Sequence, residues 1–146
     1  MEVVGFMNHN VAGRAIKEAR KLLVYGTCLA RERPELVAEY ARGRAALAVC
    51  LEETHVNMFV AKLAGVLARV PLDELVVLTV DGSLHCVQLH MGVEEALKVA
   101  GASVHVKHLV VEGGRVVPIS PKAVKTARYL SKIEKLLGSR GASSGH

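Results

Sequence analysis

The sequence contains no tryptophan, only three tyrosines and two phenylalanines, and no aromatic residue is interleaved with a basic run. Proteins that bind single-stranded nucleic acids stack the bases on aromatic side chains placed among basic groups. The chain therefore lacks the residues for such a platform. Its formal net charge is nevertheless +5, and a positive balance favours polyanions in general without identifying one.

The basic residues concentrate in the first and the last helical segments of the sequence. They are Arg14, Lys17, Arg20 and Lys21 in the first, and Lys122, Lys125, Arg128, Lys132, Lys135 and Arg140 in or after the last. Helices laced with charge usually present a solvated face. We therefore expect surface helices, and nucleic-acid binding through the basic helices is only a second alternative function.

Cysteine is also scarce, and the three thiols lie far apart at Cys28, Cys50 and Cys86. An odd, widely spaced set does not form the disulfide framework of a small secreted domain, so we expect reduced thiols. No apolar run approaches the roughly 20 residues needed to cross a bilayer, and the first residues do not resemble a signal peptide. These absences favour a cytoplasmic protein without a membrane partner.

Several signature motifs are missing as well. The sequence has no G-x-G-x-x-G or G-x-x-x-x-G-K-[ST], and it has no C-x-x-C pair or H-E-x-x-H helix. Its G-x-S-x-G match at residues 141–145 falls in the Gly- and Ser-rich tail rather than after an apolar strand. Dinucleotide, P-loop and serine-hydrolase classes therefore have no support, and no cofactor is identified. Side-chain amides are few while Arg, Lys, Glu, Val and Ala are abundant, which indicates a heat-adapted source.

Apolar runs alternate with helical stripes along the chain. Strands are predicted at residues 3–7, 45–51, 75–80, 103–112 and 115–119, with a Gly113-Gly114 hairpin between the last two. Helices are predicted from an Asn8 or Asn10 cap to Val24, from Pro34 to Gly43, from a Thr54 cap to before Pro71, over 84–100 and from Pro121 onward, with a loop at 27–33.

This alternation predicts an α/β fold, a three-layer α/β/α sandwich with a mostly parallel sheet and a C-terminal antiparallel hairpin. Residues 1–137 should form a single domain, and residues 138–146, rich in Gly and Ser, a flexible tail. The nearly all-apolar segment 75–80 is expected to be an interior parallel strand covered on both faces. Phe59, Leu63 and Leu67 should be buried by the helix that follows residue 55.

Polar and reactive side chains gather where two of these strands end. If the strands ending near Leu51 and Val80 are neighbours, the loops 52–55 and 81–86 lie side by side, each below a helix N-terminus. The residues placed around the resulting crevice are Thr54, His55, Asn57, Asp81, Gly82, Ser83, His85, Cys86 and His90. This pattern is typical of a ligand or catalytic site.

The catalytic candidates are Cys86, His85, His55 and Asp81. A helix N-terminus favours a thiolate, so Cys86 would be the nucleophile, with His85 or His55 as base and Asp81 orienting a histidine or binding a hydroxyl. The ligand-binding candidates, which would hold an anionic small molecule with the free helix N–H groups, are Thr54, Asn57, Gly82, Ser83 and His90.

Structural explanations compete with each of these roles. The Asp81-Gly82-Ser83 segment can be a simple capped turn, and Cys86 a small core residue. Cys50 fits a core strand and the role of Cys28 stays open, while structural or surface roles are expected for His105 and His108. A metal site is a minority alternative, with Cys86 and His90 one helical turn apart and His55 or His85 as third ligand.

Residues 51–57 (Leu-Glu-Glu-Thr-His-Val-Asn) and 78–86 (Leu-Thr-Val-Asp-Gly-Ser-Leu-His-Cys) resemble a group of small archaeal α/β proteins of uncharacterised activity. Some of that group carry iron–sulfur or ferredoxin-like labels. The resemblance spans most of the chain but implies no activity. A four-thiolate cluster needs closely spaced cysteines, so a cluster here would require histidine or a second chain.

These patterns predict a small-molecule-binding protein, either a thiol-dependent enzyme or a sulfur or redox protein that uses Cys86. The first alternative is a non-catalytic module that binds a ligand or another subunit. A homo-oligomer is also predicted. The sequence identifies neither the substrate nor the reaction.

Overall fold

The structure is a computed structural model that describes residues 3–10 and 13–140. Its five strands are β1 (Lys21–Gly26), β2 (Ala45–Val49), β3 (Glu74–Val80), β4 (His105–Glu112) and β5 (Arg115–Ile119). The α-helices in this part of the chain are α1 (Arg14–Ala19), α2 (Thr27–Glu32), α3 (Pro34–Ala41), α4 (Val56–Arg69), α5 (Leu84–Ala100), α6 (Pro121–Thr126) and α7 (Leu130–Arg140). A 3-10 turn, Phe6–Asn8, precedes α1.

The strands form one sheet in the order β2-β1-β3-β4-β5. The first four are parallel, and β5 returns antiparallel to β4 through the tight turn at Gly113 and Gly114. Both of these glycines have positive φ, as a two-residue hairpin turn requires. The predicted fold class, with its C-terminal antiparallel hairpin, is confirmed.

Helices cover both faces of the sheet and bury two apolar cores. On one face α4 and α5 pack Phe59, Leu63 and Val93 against alternate strand residues. On the other face α2 and α3 contribute Leu29 and Val37. The predicted burial of Phe59, Leu63 and Leu67 is confirmed, since they are 0%, 0% and 8% exposed.

The interior parallel strand is confirmed as well. β3 lies between β1 and β4, and all five residues between its ends are buried. α5 follows it with the predicted bounds. Its first turn is capped by Ser83, whose Oγ accepts the Cys86 N–H, and it ends at Gly101 in the left-handed conformation.

The prediction of one long helix to Val24 is wrong. α1 ends at Ala19, and Leu22 to Tyr25 belong to β1, where all four side chains are fully or almost fully buried. The predicted loop at 27–33 is instead the short helix α2, and residues 3–7 form only a single bridge and the 3-10 turn. His55, not Thr54, is the N-cap residue of α4.

The C-terminal prediction also needs correction. The single final helix is two helices, α6 and α7, and residues 138–140 of the predicted tail belong to α7. The remaining tail residues, 141–146, lie outside the described residues.

The two edges of the sheet differ in construction. Beside β2, the Ala48 N–H donates a hydrogen bond of 2.8 Å to the carbonyl of Val4, and Gly5 forms a parallel bridge with Ala48. The opposite edge is β5, which contains Pro118.

The order of the strands creates a switch point between β1 and β3. From β1 the chain crosses to β2 through α2 and α3 on one face, and it reaches β3 through α4 on the other face. The helices that follow β1 and β3 therefore diverge, which opens a crevice at the carboxyl ends of these two strands. In sheets of this kind ligands bind at that point.

Candidate functional site

A cavity of about 140 Å³ occupies this switch point. We call it the thiol crevice; its lining comes from the segments that follow β1, β2 and β3, namely Gly26, Thr27, Cys28, Val49, Cys50, Leu51, Glu52, Ser83, His85, Cys86 and Leu89. Three of the sequence-predicted site residues, Ser83, His85 and Cys86, therefore meet in one cavity. All three cysteines of the chain lie with them.

Gly26, the last residue of β1, separates two of the thiols. A Cβ atom placed on Gly26 would lie 3.8 Å from Cys86 Sγ and 4.0 Å from Cys28 Sγ. Both sulfur atoms therefore face the same small space, which the absent side chain leaves open. Cys28 is the second residue of α2 and Cys86 the third residue of α5, so each thiol lies in the first turn of its helix.

Burial and neighbouring groups raise the pKa of the Cys28 thiol above its ordinary value. The largest cause is burial, and the proximity of Cys86, of the Glu32 carboxylate and of Cys50 adds to it. Cys28 therefore keeps its proton at neutral pH until a base removes it. The interaction with both other cysteines confirms that the three thiols share one environment.

His85 stands at the rim of the thiol crevice beside Cys86. Its Nδ1 atom lies 3.7 Å from Glu52 Oε1, and its side chain is 39% exposed. Glu52 reaches it from the loop after β2, across the end of β1. The Glu52 carboxylate therefore lies on the Nδ1 side of the His85 ring.

The structure does not bring the remaining predicted residues into this crevice. β1 lies between β2 and β3, so the loops 52–55 and 81–86 do not follow neighbouring strands as predicted, and they meet through Glu52 and His85. His55 and Asn57 are exposed at the start of α4, and Asn57 Oδ1 accepts a hydrogen bond from the Met58 N–H. Thr54 lines an adjoining surface cleft that shares Thr27, Val49 and Cys50 with the thiol crevice. Gly82 is exposed, with positive φ at 90°, as the turn requires.

Asp81 and His90 line a different cavity, of about 190 Å³, which we call the α6 cavity. Its other walls are aliphatic, namely Val87, Met91, Val110, Ile119, Ala123, Val124 and Ala127. The backbone N–H of Asp81 donates to the carbonyl of Val111 at 3.0 Å, which ties the end of β3 to β4. The predicted grouping of Asp81 and His90 with Cys86 is therefore wrong.

A buried chain of hydrogen bonds lies behind the α6 cavity. Thr79 Oγ1 is 2.7 Å from His90 Nε2, His90 Nδ1 is 2.9 Å from His108 Nδ1, and His108 Nε2 is 2.7 Å from Glu94 Oε2. We call Thr79, His90, His108 and Glu94 the polar cluster. None of the four is more than 8% exposed, and Lys125 Nζ lies 3.8 Å from the other oxygen of Glu94.

One arrangement of hydrogens satisfies the whole polar cluster. A carboxylate only accepts, so His108 Nε2 donates to Glu94 and a neutral His108 has Nδ1 free to accept. His90 Nδ1 then donates to that atom, and His90 Nε2 accepts the hydroxyl hydrogen of Thr79. Both ring nitrogens of His90 are therefore engaged inside the protein, which leaves neither for a metal ion or ligand.

Burial, together with the nearby His108, lowers the pKa of His90 from 6.5 to about 3, and burial is the larger cause. His90 therefore stays neutral throughout the physiological range. The alternative metal site of Cys86, His90 and His55 is not formed, and no group of three or more His, Cys, Asp or Glu side chains in residues 3–10 and 13–140 is arranged to hold a metal ion.

The comparison with protein families agrees with the topology. A model described as a Rossmann-like domain matches residues 15–141. The chain belongs to this family. No curated protein and no solved structure matches the sequence, and the iron–sulfur labels of the resembling archaeal proteins find no support. No helix in the described part of the Rossmann-like domain is long and apolar enough to span a membrane.

The basic helices of this Rossmann-like domain are partly neutralised by their own surroundings. Arg20 pairs with Asp73 at 3.1 Å, Lys125 with Glu94 at 3.8 Å and Arg128 with Glu95 at 3.5 Å. α1, the first of the basic helices, has only six residues. No observation favours the nucleic-acid alternative.

The sequence did not predict which residues surround Cys86. Cys28 and Glu52 line the same crevice as Cys86, and Cys50 does so too. The signal that could have revealed them is the short apolar run at residues 22–25, which marks a strand that ends beside Cys28. The polar cluster was missed for another reason, since only the pairing of β3 with β4 brings His108 to α5.

Proposed function

We propose that the chain binds a small molecule in the thiol crevice and that Cys86 reacts with an electrophilic group of that ligand. The observation that carries this proposal is the convergence of all three cysteines on the cavity at the β1/β3 switch point. Three thiols separated by 22 and 36 residues meet there because three successive strands end at one edge.

Each lining group has a chemical role in this proposal. Cys86 is the nucleophile: the thiol proton passes to His85 Nε2, the sulfur bonds to the electrophilic atom of the ligand, and the bond from that atom to the leaving group breaks, with its electron pair departing on the leaving group. Glu52 holds His85 through Nδ1 and stabilises the protonated ring. The aliphatic side chains of Val49 and Leu89 contact the apolar part of the ligand.

An anionic group on the ligand would be held by backbone N–H groups at the start of α5, next to Ser83. Among the described residues no lysine or arginine lines the crevice, so recognition of charge would depend on the helix rather than on side chains. His55 and Asp81 have no part in the proposal, because neither lines the crevice.

Iodoacetamide labelling, followed residue by residue by mass spectrometry, tests the assignment of the nucleophile. We expect Cys86 to react at pH 7 roughly tenfold faster than an ordinary thiol with a pKa of about 8.5, and faster than Cys28 and Cys50. Exchanging His85 for alanine or Glu52 for glutamine should slow Cys86 and leave Cys50 unchanged. His55→Ala is the matched control, and it should leave all three rates unchanged.

Two results would contradict the proposal. Equal, slow labelling of the three thiols would assign Cys86 to the core. Full protection of Cys86 in the native protein, with rapid labelling after unfolding, would do the same. If a bound ligand is nevertheless found in the crevice, the non-catalytic binding module becomes the better description.

The predicted homo-oligomer stays a prediction, and we propose α7 as its contact surface. Leu130, Leu136 and Leu137 are 81%, 54% and 59% exposed, and exposed apolar groups of this kind mark interaction sites. Light scattering should give a mass above that of the 15.6 kDa chain. Leu130→Ser with Leu137→Ser should return the mass to that of a monomer, and a monomeric parent protein would refute the prediction.

A further inference from the structure

We infer that Cys28 and Cys86 form a dithiol pair that small-molecule disulfides oxidise to an intramolecular disulfide. This inference rests on the proposed reactivity of Cys86 in the thiol crevice and adds Cys28 as the resolving thiol. The ligand class it names is a low-molecular-weight disulfide, and the activity is thiol–disulfide exchange.

The space at Gly26 selects this pair among the three thiols. Within residues 3–10 and 13–140, and apart from the chain neighbours of Gly26, a Cβ there would meet only Cys86 Sγ and Cys28 Sγ within 4 Å. Cys50 lines the crevice from the end of β2 but does not reach this space.

The exchange proceeds in two balanced steps. The Cys86 thiolate attacks one sulfur of the disulfide R–S–S–R; a mixed disulfide forms, and the first R–S⁻ leaves and takes a proton. The Cys28 thiolate then attacks the Cys86 sulfur, forms the Cys28–Cys86 bond and releases the second R–S⁻. The two protein thiols lose two electrons in total, and the small disulfide gains them as two thiols.

The chemistry of the crevice suits this order of events. Burial and the neighbouring groups keep Cys28 protonated, so it does not compete with Cys86 for the incoming disulfide. When Cys86 is in the mixed disulfide, His85 at the crevice rim is the base available for the Cys28 proton. Cys28 thus acts second.

Peptide mapping tests the pairing directly. The protein is incubated with oxidised glutathione, an anionic probe, or with 2-hydroxyethyl disulfide, a neutral one. Trypsin places the three cysteines in separate peptides, residues 22–31, 45–62 and 70–98. We expect free thiols to fall from three to one per chain, with a cross-link between peptides 22–31 and 70–98 and a free Cys50.

Two variants separate the steps. Cys28→Ser should stop at the mixed disulfide on Cys86, detected as the added mass of one glutathione, while Cys50→Ser should still form the Cys28–Cys86 bond. Gly26→Ala keeps all three thiols. Gly26 has φ −66° and ψ 132°, which alanine adopts freely, and its new methyl makes ordinary contacts. We expect closure to be slowed at least tenfold relative to formation of the mixed disulfide on Cys86 in the same variant.

The outcomes distinguish this inference from the proposed function. Rapid alkylation of Cys86 without any Cys28–Cys86 cross-link would overturn the inference and leave the proposed function standing. Failure of Cys86 to react with either reagent would overturn both. A cross-link to Cys50 instead of Cys28, or closure at an unchanged rate in Gly26→Ala, would show that the sulfurs do not meet over Gly26 and would also overturn the inference.

Discussion

Replacing His108 by alanine is expected to lower the free energy of unfolding by roughly 3–5 kcal/mol, because it removes two buried hydrogen bonds and leaves a cavity. His108 is 1% exposed and joins His90 to Glu94 in the polar cluster. Without it, His90 Nδ1 and Glu94 Oε2 each lose a partner in a place that water does not reach. Urea unfolding followed by circular dichroism measures the change.

The chain supplies a matched control three residues earlier in the same strand. His105 is exposed on β4, and His105→Ala should change the free energy of unfolding by no more than about 0.5 kcal/mol. Thr79→Val, which keeps the shape of the side chain and removes only the hydroxyl, should cost about 1–2 kcal/mol. A His108→Ala variant as stable as His105→Ala would show that the polar cluster does not stabilise the core.

Mild acid is expected to destabilise the protein through His90. The pKa of His90 is about 3 in the folded protein and 6.5 in its reference state, so only the unfolded chain takes up this proton between those values. Stability is therefore unaffected above pH 6.5 and falls as the pH drops below it. The loss is roughly 1.4 kcal/mol per pH unit, or about 2 kcal/mol between pH 6.5 and 5.

The interval from pH 6.5 to 5 separates His90 from the acidic groups. The pKa of Glu74 is lowered from 4.5, mainly by its hydrogen bond with Arg44, so its contribution is lost only at more acidic pH. His108 and Glu94 face His90 within the polar cluster, and Lys125 faces Glu94. His90→Gln should reduce the slope of the free energy of unfolding against pH over this interval by the amount that corresponds to one bound proton. An equal slope in parent and variant would contradict the assignment.

The elements that the sequence predicted well are those with long, unmixed patterns. β3 is a single apolar run, and α4 and α5 carry stripes of apolar residues over 14 and 17 residues. Ser83 and Gly101 mark the two ends of α5 with the residue types that helix ends favour. Local chemistry and burial agree in these segments, so the pattern alone was enough.

β1 was missed because its start carries no turn signal. α1 ends at Ala19, and its C-cap residue Arg20 has φ 56°, a left-handed conformation usually taken by glycine. Arginine at this position reads as one more helical residue, and the apolar run after it continued the helical pattern. α2 was missed because it has six residues and no side-chain cap.

The misplaced strand explains the error in the candidate site. Because the predicted sheet lacked β1, the prediction made β2 and β3 neighbours and placed His55 near Cys86. With β1 in place, its carboxyl end inserts Gly26 and Cys28 between the other two segments, and Glu52 rather than His55 meets His85. The unrecognised left-handed conformation of Arg20 therefore led to wrong predicted partners for the Cys86 thiol.

The two edges of the sheet restrict how copies of this protein can associate. At the β2 edge, the hydrogen bond to Val4 already uses the N–H of Ala48. At the β5 edge, Pro118 has no N–H to offer a neighbouring strand. Continuous sheets running from one subunit to the next are therefore disfavoured at both ends. Any assembly would be built by helix against helix, which leaves the strand ends around the thiol crevice open to small molecules.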